Sequence, residues 1–383
     1  MLLSKAIIFF LITTIDEALC VCNRIGDAVK CSEEPSLRFA TFNDTKLGNL
    51  STVKYFQYYS ANRSQLWIQS TFMWGFKNVE IIKITHTDMR RLVSDTFYSH
   101  TECRELHLPD NNIAFIDVNA FGYLNKLTHL LLNQNALTAF NPITIGLAYN
   151  LKYLDLGHNR INKLPDTALY NLENLTYINL NGNRLKEIKL NKIVSFPKSI
   201  KVVWLSENLL LQVTRQFFAD LVNIEVLNLS YNKIDSLVEA FNDLTNLKTL
   251  ILTHNMITQF VPFLFPPNGL PKLENLAIDH NYVMVPPSIL DVLPNLKKIT
   301  IMGNPWYCNC LRDFREELKK LGIQEKCDSD YVDTERPICI SDHMSNNTCN
   351  TVYNPQAAHN FVNDDKKLAL DTDIAFCLIS EFS

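Results

Sequence analysis

Histidine and cysteine offer this chain most of its scope for chemistry. There are nine of the first and ten of the second in 383 residues. His86, His107, His129, His158, His254 and His280 recur at related places along the middle of the sequence, and Asp279 stands beside His280. Imidazole titrates near neutrality and ligates metals, so such a set suits a proton switch or a metal site. Cys308 and Cys310 form a Cys-x-Cys pair, whose spacing serves either zinc or a disulfide framework. Neither feature is completed into a centre. No Ser/His/Asp order, paired carboxylates or phosphate-cradling glycine loop stands in a working context, and glycine numbers only ten. The reading is therefore no enzyme, no cofactor and no bound metal. A net charge of −4 also argues against nucleic acid, which needs a strongly basic face.

The elements that position these residues form one phrase, repeated. Its pattern is an apolar residue, a second three later, a third two after that, an Asn three further on, and a last apolar residue. Leu127-Leu130-Leu132-Asn135-Leu137, Leu151-Leu154-Leu156-Asn159-Ile161 and Ile224-Leu227-Leu229-Asn232-Ile234 are examples. Ten copies start at 79, 103, 127, 151, 175, 200, 224, 247, 273 and 296. The apolar residues at i and i+2 share one side of a short strand, and successive strands stack in parallel at about 4.8 Å. The Asn carries two donors and an acceptor, enough to satisfy backbone groups of its own turn and the next. Nine of them, from Asn111 to Asn304, predict a buried and fully bonded polar ladder. Thr87 takes the Asn place in the first copy.

This pattern resembles the leucine-rich repeat. The resemblance implies an α/β solenoid, a right-handed horseshoe with a parallel concave sheet and disulfide-bonded caps at both ends. A second apolar spine supports it: Leu92, Ile116, Phe140, Leu164, Ile188, Val213, Leu237 and Phe260 lie thirteen residues after successive starts. A bulkier residue follows each by about five, as at Phe97, Phe121, Ile145, Leu169, Phe218, Phe241, Phe265 and Leu290. Wide returns against narrow strands predict the curve.

Five segments are expected. Residues 1–20 read as a secretory signal peptide: Lys5, then the apolar run 6–15, then small residues. A cut after Cys20 puts Ala18 and Cys20 at the −3 and −1 places; a cut after Ala18 would keep Cys20. Residues 21–78 form an N-terminal cap with degenerate first repeats, Leu37-Ala40-Phe42 and Val53-Phe56-Tyr58, and a Cys22–Cys31 staple. The repeats occupy 79–303, a Cys-rich cap 304–339, and a partly disordered extension 340–383, with a short helix near 368–379. No apolar run is long enough to span a bilayer, so the protein reads as secreted and extracellular. Six Asn-x-Ser/Thr sites, Asn43, Asn49, Asn62, Asn174, Asn228 and Asn346, suit that route.

Asn304-Pro-Trp-Tyr-Cys308-Asn-Cys310, followed by Cys327 and Cys339, resembles the cysteine-flanked C-terminal cap of extracellular leucine-rich-repeat proteins. The resemblance implies Cys308–Cys327 and Cys310–Cys339 bridges. Between them the sequence predicts a helix over 311–322, with Asp313 as N-cap, Gly322 as stop, Phe314, Leu318 and Leu321 on one face and Trp306 beneath. Cys103 takes a strand's first apolar place and reads as a buried free thiol. Cys349 and Cys377 remain, for a bridge to each other or to another chain.

Side chains that alternate with the core face the concave side. Tyr153, Tyr177 and Trp204 fall there on successive strands, rimmed by Lys152, Asp155, Asn179 and Lys201. Aromatics on a rigid sheet are typical anchors for a protein partner. Asn228 also faces that side, where a glycan would screen the C-terminal half. As a whole the chain resembles secreted arthropod leucine-rich-repeat immune proteins, those of mosquitoes in their short form without a coiled coil. That implies recognition in humoral defence. An adhesion or guidance ligand like the Slit and connectin repeat domains is the alternative; an enzyme-engulfing inhibitor is a third.

Overall fold

A computed structural model describes residues 20–33, 47–61, 63, 75–141, 144, 148–286, 289–325, 339–340 and 354–368. The chain divides into two compact units, Met1–Asn159 and Arg160–Ser383.

The first unit holds β1 (Cys20–Ile25), β2 (Ala28–Glu33), β3 (Tyr55–Tyr59), β4 (Ile81–Thr85), β5 (Arg91–Leu92), β6 (Glu105–His107), β7 (Phe115–Ile116), β8 (His129–Leu131) and β9 (Tyr153–Asp155). β1 and β2 are an antiparallel hairpin turning at Gly26 and Asp27; β2, β3, β4, β6, β8 and β9 then add in parallel. In the second unit β10 (Tyr177–Asn179), β11 (Val202–Trp204), β13 (Val226–Asn228), β15 (Thr249–Ile251), β16 (Asn275–Ala277), β17 (Lys298–Thr300) and β18 (Gln324–Glu325) pair in parallel. On the return side β5 pairs with β7, and β12 (Gln212–Thr214) with β14 (Ser236–Val238).

Register follows the phrase. Leu106, Leu130 and Leu154 are direct neighbours across strands, as are Val203, Leu227, Leu250, Leu276 and Ile299. All of these are 0 % exposed. Burying each such side chain contributes about 1.5–3 kcal/mol. The return spine is buried from Leu92 to Phe260 except Ile116, which is half-buried, and Ile145 lies outside the described residues. Cys103 is a buried free thiol, as expected, and burial pushes its pKa up to about 12.

The Asn ladder is present and bonded, with one change of direction: each amide ties its own turn to the preceding repeat rather than to the next. Asn135 Oδ1 accepts from Asn111 N and Ile113 N, while its Nδ2 donates to Leu108 O and Leu132 O. Asn232 Oδ1 accepts from Leu210 N, and Nδ2 donates to Leu205 O, Leu229 O and Ser230 O. The residue just before each ladder position has a positive φ, between 48° and 64°. In the first unit these are His86, Asp110, Gln134 and His158; in the second, Gly182, Glu207, Tyr231, His254, His280 and Gly303. Placing a non-glycine there costs about 1–2 kcal/mol.

A second Asn series was not expected. The Asn immediately before a repeat start donates to a carbonyl of the preceding return: Asn78 to Ser51 O and Asn150 to Asn125 O in the first unit. Asn223, Asn246 and Asn295 do the same to Lys198 O, Val222 O and Pro271 O in the second.

At the N-terminal end Cys22 and Cys31 sit opposite each other in the hairpin and are bridged. Arg24 Nη1 donates to Leu47 O and Asn49 O, tying hairpin to loop. Leu37-Ala40-Phe42 and residues 1–19 lie outside the described residues; Cys20 opens β1, opposite Glu33.

The C-terminal cap departs from expectation in three ways. Its helix is Cys308–Lys320, so Asp313 is inside it and Tyr307 takes the N-cap place; Gly322 does stop it, with φ 72°. Phe314 and Leu318 are buried but Leu321 is 58 % exposed. The bridge is Cys308–Cys339, which replaces both implied pairings. Backbone geometry decides this: Cys308 N donates to Ile340 O and Ile340 N to Trp306 O, setting Cys339 beside Cys308. Cys310 is also disulfide-bonded. Cys327, Cys349 and Cys377 lie outside the described residues. Trp306 is buried as expected, its Nε1 donating to Ile301 O at 2.7 Å. Of the helix expected near 368–379, all beyond Leu368 lies outside the described residues; ahead of it a helix not expected spans Pro355–Leu368. Asn354 caps it, its Oδ1 accepting from Ala357 N, and Pro355 follows at the first helical position, a pair that favours a helix start.

Two substitutions test this account. Asn232→Ala strands one buried N–H and three carbonyls, and should cost about 2–4 kcal/mol in urea unfolding. Gly303→Ala should cost at least twice what Gly322→Ala does. Both need a left-handed alanine, but a Cβ at 303 also runs into the His280 ring while one at 322 meets nothing.

Candidate functional site

Strand side chains that alternate with the core form the open face of the sheet. In the first unit they make two rows across the strands. One is Tyr55, Ile81, Glu105, His129 and Tyr153; the other is Gln57, Lys83, His107, Leu131 and Asp155. All are half-buried except Asp155, which is buried. Tyr153 stacks on His129 with ring centres 5.6 Å apart. His107 Nε2 lies 3.1 Å from Glu105 Oε2. Burial holds the His107 imidazole below its ordinary pKa, despite Glu105, which pulls it upward. At the end of the strands Tyr59 stacks on His86 at 5.4 Å. Asp110 meets His86 Nδ1 at 2.6 Å and Arg63 Nη2 at 2.5 Å.

The face changes along the second unit. Tyr177, Asn179, Val202, Trp204 and Val226 are half-buried, whereas Asn228, Thr249, Ile251, Asn275, Ala277 and Thr300 are buried. Lys298 remains half-buried.

The expected patch therefore lies in two groups, one in each unit. Lys152 is exposed at the entry to β9, and Tyr153 is on the open face. Asp155 is not a solvated rim residue: it is 8 % exposed, and its Oδ1 accepts from Gly157 N at 2.8 Å. Asn179 makes the same turn, accepting from Asn181 N. Trp204 sits opposite Asn179 on one side and Asn228 on the other, so Tyr177 neighbours Val202 instead. Lys201 is exposed and pairs with Glu225. Asn228 is on the expected face but is 1 % exposed, with Oδ1 accepting from Ser230 N and Oγ. The Asn228 side chain is thus spent on its own turn. Among the other sequons, Asn49 and Asn174 are exposed; Asn43, Asn62 and Asn346 lie outside the described residues.

Only His107 and His129 of the six histidines stand in strands. His86, His158, His254 and His280 occupy the positive-φ turn position. In the second unit this builds a stack, Tyr231 on His254 at 4.3 Å and His254 on His280 at 4.1 Å. Face-to-face rings do not aim their nitrogens at a common point, and no group of three or more metal-binding side chains converges among the described residues.

Asp279, beside this stack, is 0 % exposed. Its Oδ1 accepts from Met302 N at 3.0 Å and its Oδ2 from Thr300 Oγ1. Burial raises its pKa, outweighing the Thr300 and His280 contributions that lower it. A raised folded-state pKa gives stability that is full below the unfolded value and lost as pH rises through the folded one. Asp279→Asn has no charge to desolvate: its Oδ1 still accepts from Met302 N, and its Nδ2 donates to Thr300 Oγ1, reversing that bond. It should match or exceed the wild-type melting temperature at pH 7, with the difference shrinking toward about pH 4, measured by thermal unfolding across that range.

Comparison with known proteins agrees with this architecture. Residues 101–146, 149–199 and 198–257 match the family described as leucine rich repeat. The volume-regulated anion channel subunit LRRC8A of Rattus norvegicus is 34 % identical over 94 residues, 24 % of this chain. That stretch spans only 11 % of the relative's length. Among solved structures, the Drosophila Toll–Spatzle complex in glycosylated form matches with 16 % identity and a TM-score of 0.56, covering 76 % of this chain and 52 % of that one. The octameric complex of Latrophilin 3, Unc5D and FLRT2 matches with 21 % identity and a TM-score of 0.56, covering 81 % of this chain and 92 % of that one. None of these comparisons indicates an enzymatic family, and no helix among the described residues is long and apolar enough to cross a membrane. Stacked parallel strands, repeat signature and bridges near both ends make the fold a leucine-rich-repeat solenoid.

Proposed function

We propose that the chain is a secreted recognition module that binds an extracellular protein through the open face of its sheet, in innate immune recognition. The observation that carries this is the row of half-buried aromatic and imidazole side chains on rigid strands, above all Tyr55, His129 and Tyr153 in the first unit. Such rings offer large contact area at little conformational cost, the usual make-up of binding hot spots. Lys152 flanks that row, and in the second unit Tyr177, Lys201 and Trp204 are the candidate contact residues; Asp155 and Asn179 each shape a turn in their own unit.

Secretion is supported by the Cys22–Cys31 and Cys308–Cys339 bridges, which persist in oxidising compartments. Exposed Asn49 and Asn174 are the glycan sites of this reading, and Cys349 or Cys377 the link to a second chain. The immune role draws on the sequence resemblance and on the likeness to the Toll–Spatzle complex, a molecular hub in Drosophila development and innate immunity. The FLRT2 complex, an assembly with Latrophilin 3 and Unc5D, favours adhesion or guidance instead. Expression in haemocytes or fat body, as against neurons or muscle, separates the two.

A partner captured from haemolymph and identified by mass spectrometry supplies the binding assay. Tyr153→Ala and Trp204→Ala should each weaken it at least tenfold, with unfolding midpoints near wild type. Unchanged affinity in both variants would remove the open face from the interface.

A further inference from the structure

The second unit carries a cleft that shares only Lys201 with the protein contact proposed for the open face. It encloses about 280 Å³ and is lined by Lys201, Asn223, Glu225, Asn246, Lys248 and Lys272. These residues stand at the entry to successive strands, where each repeat start sets one side chain beside the next. Glu225 is gripped from both sides, by Lys201 at 3.3 Å and Lys248 at 2.6 Å. Lys272 donates to a neutral acceptor, Asn246 Oδ1, at 2.5 Å. Asn246 Nδ2 is held in turn by Val222 O and Asn223 Oδ1, so the wall is fixed by the second Asn series.

Three ammonium groups face one carboxylate, which leaves the cleft with two surplus positive charges in a chain of net charge −4. Each ammonium has three donors, of which contacts among the described residues engage one apiece. The Lys–Glu pairs are half-exposed, a setting in which water screens such pairs and leaves them weak, so an incoming anion can compete with Glu225. The strands bearing Lys201 and Lys248 are two spacings apart, about 10 Å, which suits a ligand carrying several oxyanions along its length. The lining has no aromatic ring on which a nucleobase could stack and no apolar side chain to anchor a peptide.

We infer that this cleft binds the oxyanion groups, sulfate or phosphate esters, of an acidic glycan. The probe is a fluorescein-labelled, fully sulfated heparin hexasaccharide, followed by anisotropy at 0.15 M salt. Its desulfated counterpart is the control, and inorganic sulfate, inorganic phosphate and a single-stranded oligonucleotide are the competitors. The expected result is saturable binding that needs the sulfates and weakens at least tenfold in Lys248→Gln/Lys272→Gln. Lys272→Gln alone, which breaks no ion pair, should weaken it severalfold. Glu225→Gln should tighten it, whereas Glu239→Gln, elsewhere on the surface, should leave it unchanged. Stronger competition by inorganic phosphate than by inorganic sulfate would assign the cleft to phosphate esters within the same inference. No binding, equal binding by the double variant, preference for the oligonucleotide, or weaker binding by Glu225→Gln would each overturn it.

Discussion

The buried amide of the ladder asparagine is the interaction on which each repeat depends. A strand of three residues cannot hold its own register. What fixes it is that the following turn closes on a side chain able to donate twice and accept at once. Asn208 shows the arrangement: Nδ2 reaches Leu180 O in the repeat before and Leu205 O and Ser206 O in its own, while Oδ1 takes Leu185 N. These groups are buried, so an amide is required rather than merely favoured; a hydroxyl or an aliphatic side chain leaves partners unmet. Thr87 marks where the requirement lapses. At the first full repeat of the first unit it has only a hydroxyl, which donates to Asn111 Oδ1 and adds to the series instead of reaching back.

A structure held by nearest neighbours must be finished at its ends. The N-terminal end uses a bridged hairpin whose inner strand, β2, pairs in parallel with β3 and puts Val29 beside Phe56. At the C-terminal end β18 covers the edge of β17. The cap helix is tied to that strand by Arg315 and Glu325, paired at 2.7 Å with the carboxylate only 13 % exposed. The helix Pro355–Leu368 adds Ala358 to the cluster of Met284, Tyr307 and Cys310. Both ends thus answer the same problem, an apolar edge with unpaired backbone groups.

Position within the repeat was legible in the sequence because period and burial have one cause. Every residue of the apolar phrase from Val79 to Ile301 is buried. Alternation also gave the side of the sheet on which Tyr153, Trp204 and Asn228 lie. It gave no measure of exposure, which depends on neighbours distant in sequence and on local turns. Asp155, Asn179 and Asn228 each bend back to a backbone N–H two residues on, a habit of Asx side chains that predicts a turn rather than a docking contact. Disulfide partners were the least legible, since spacing says nothing of connectivity. The bridge at Cys308 follows from backbone pairing of Tyr307 with Ile340, a contact between residues far apart in the chain. The second Asn series had a visible signal, Asn at 78, 150, 174, 223, 246 and 295 just ahead of the starts, but its purpose emerges only when the preceding carbonyl is seen to lie within reach.

The left-handed turn residues show what the fold gives up to keep a chemically varied rim. All ten such positions would be cheapest as glycine, yet only Gly182 and Gly303 are. The other eight retain side chains at about 1–2 kcal/mol each, and five of those side chains make defined contacts. Asp110 joins His86 to Arg63 in the first unit, and in the second Tyr231, His254 and His280 stack in sequence. Gly303 ends that stack because its neighbour's ring already fills the space of a Cβ. Backbone strain of this kind persists only where the surroundings over-determine it, and here the ladder amide one residue later supplies the constraint. The rigidity that fixes the strands therefore also lets a strained turn carry tyrosine, histidine or aspartate at the border of the open face. A repeat protein relying on glycine at every turn would keep the same core and lose that border.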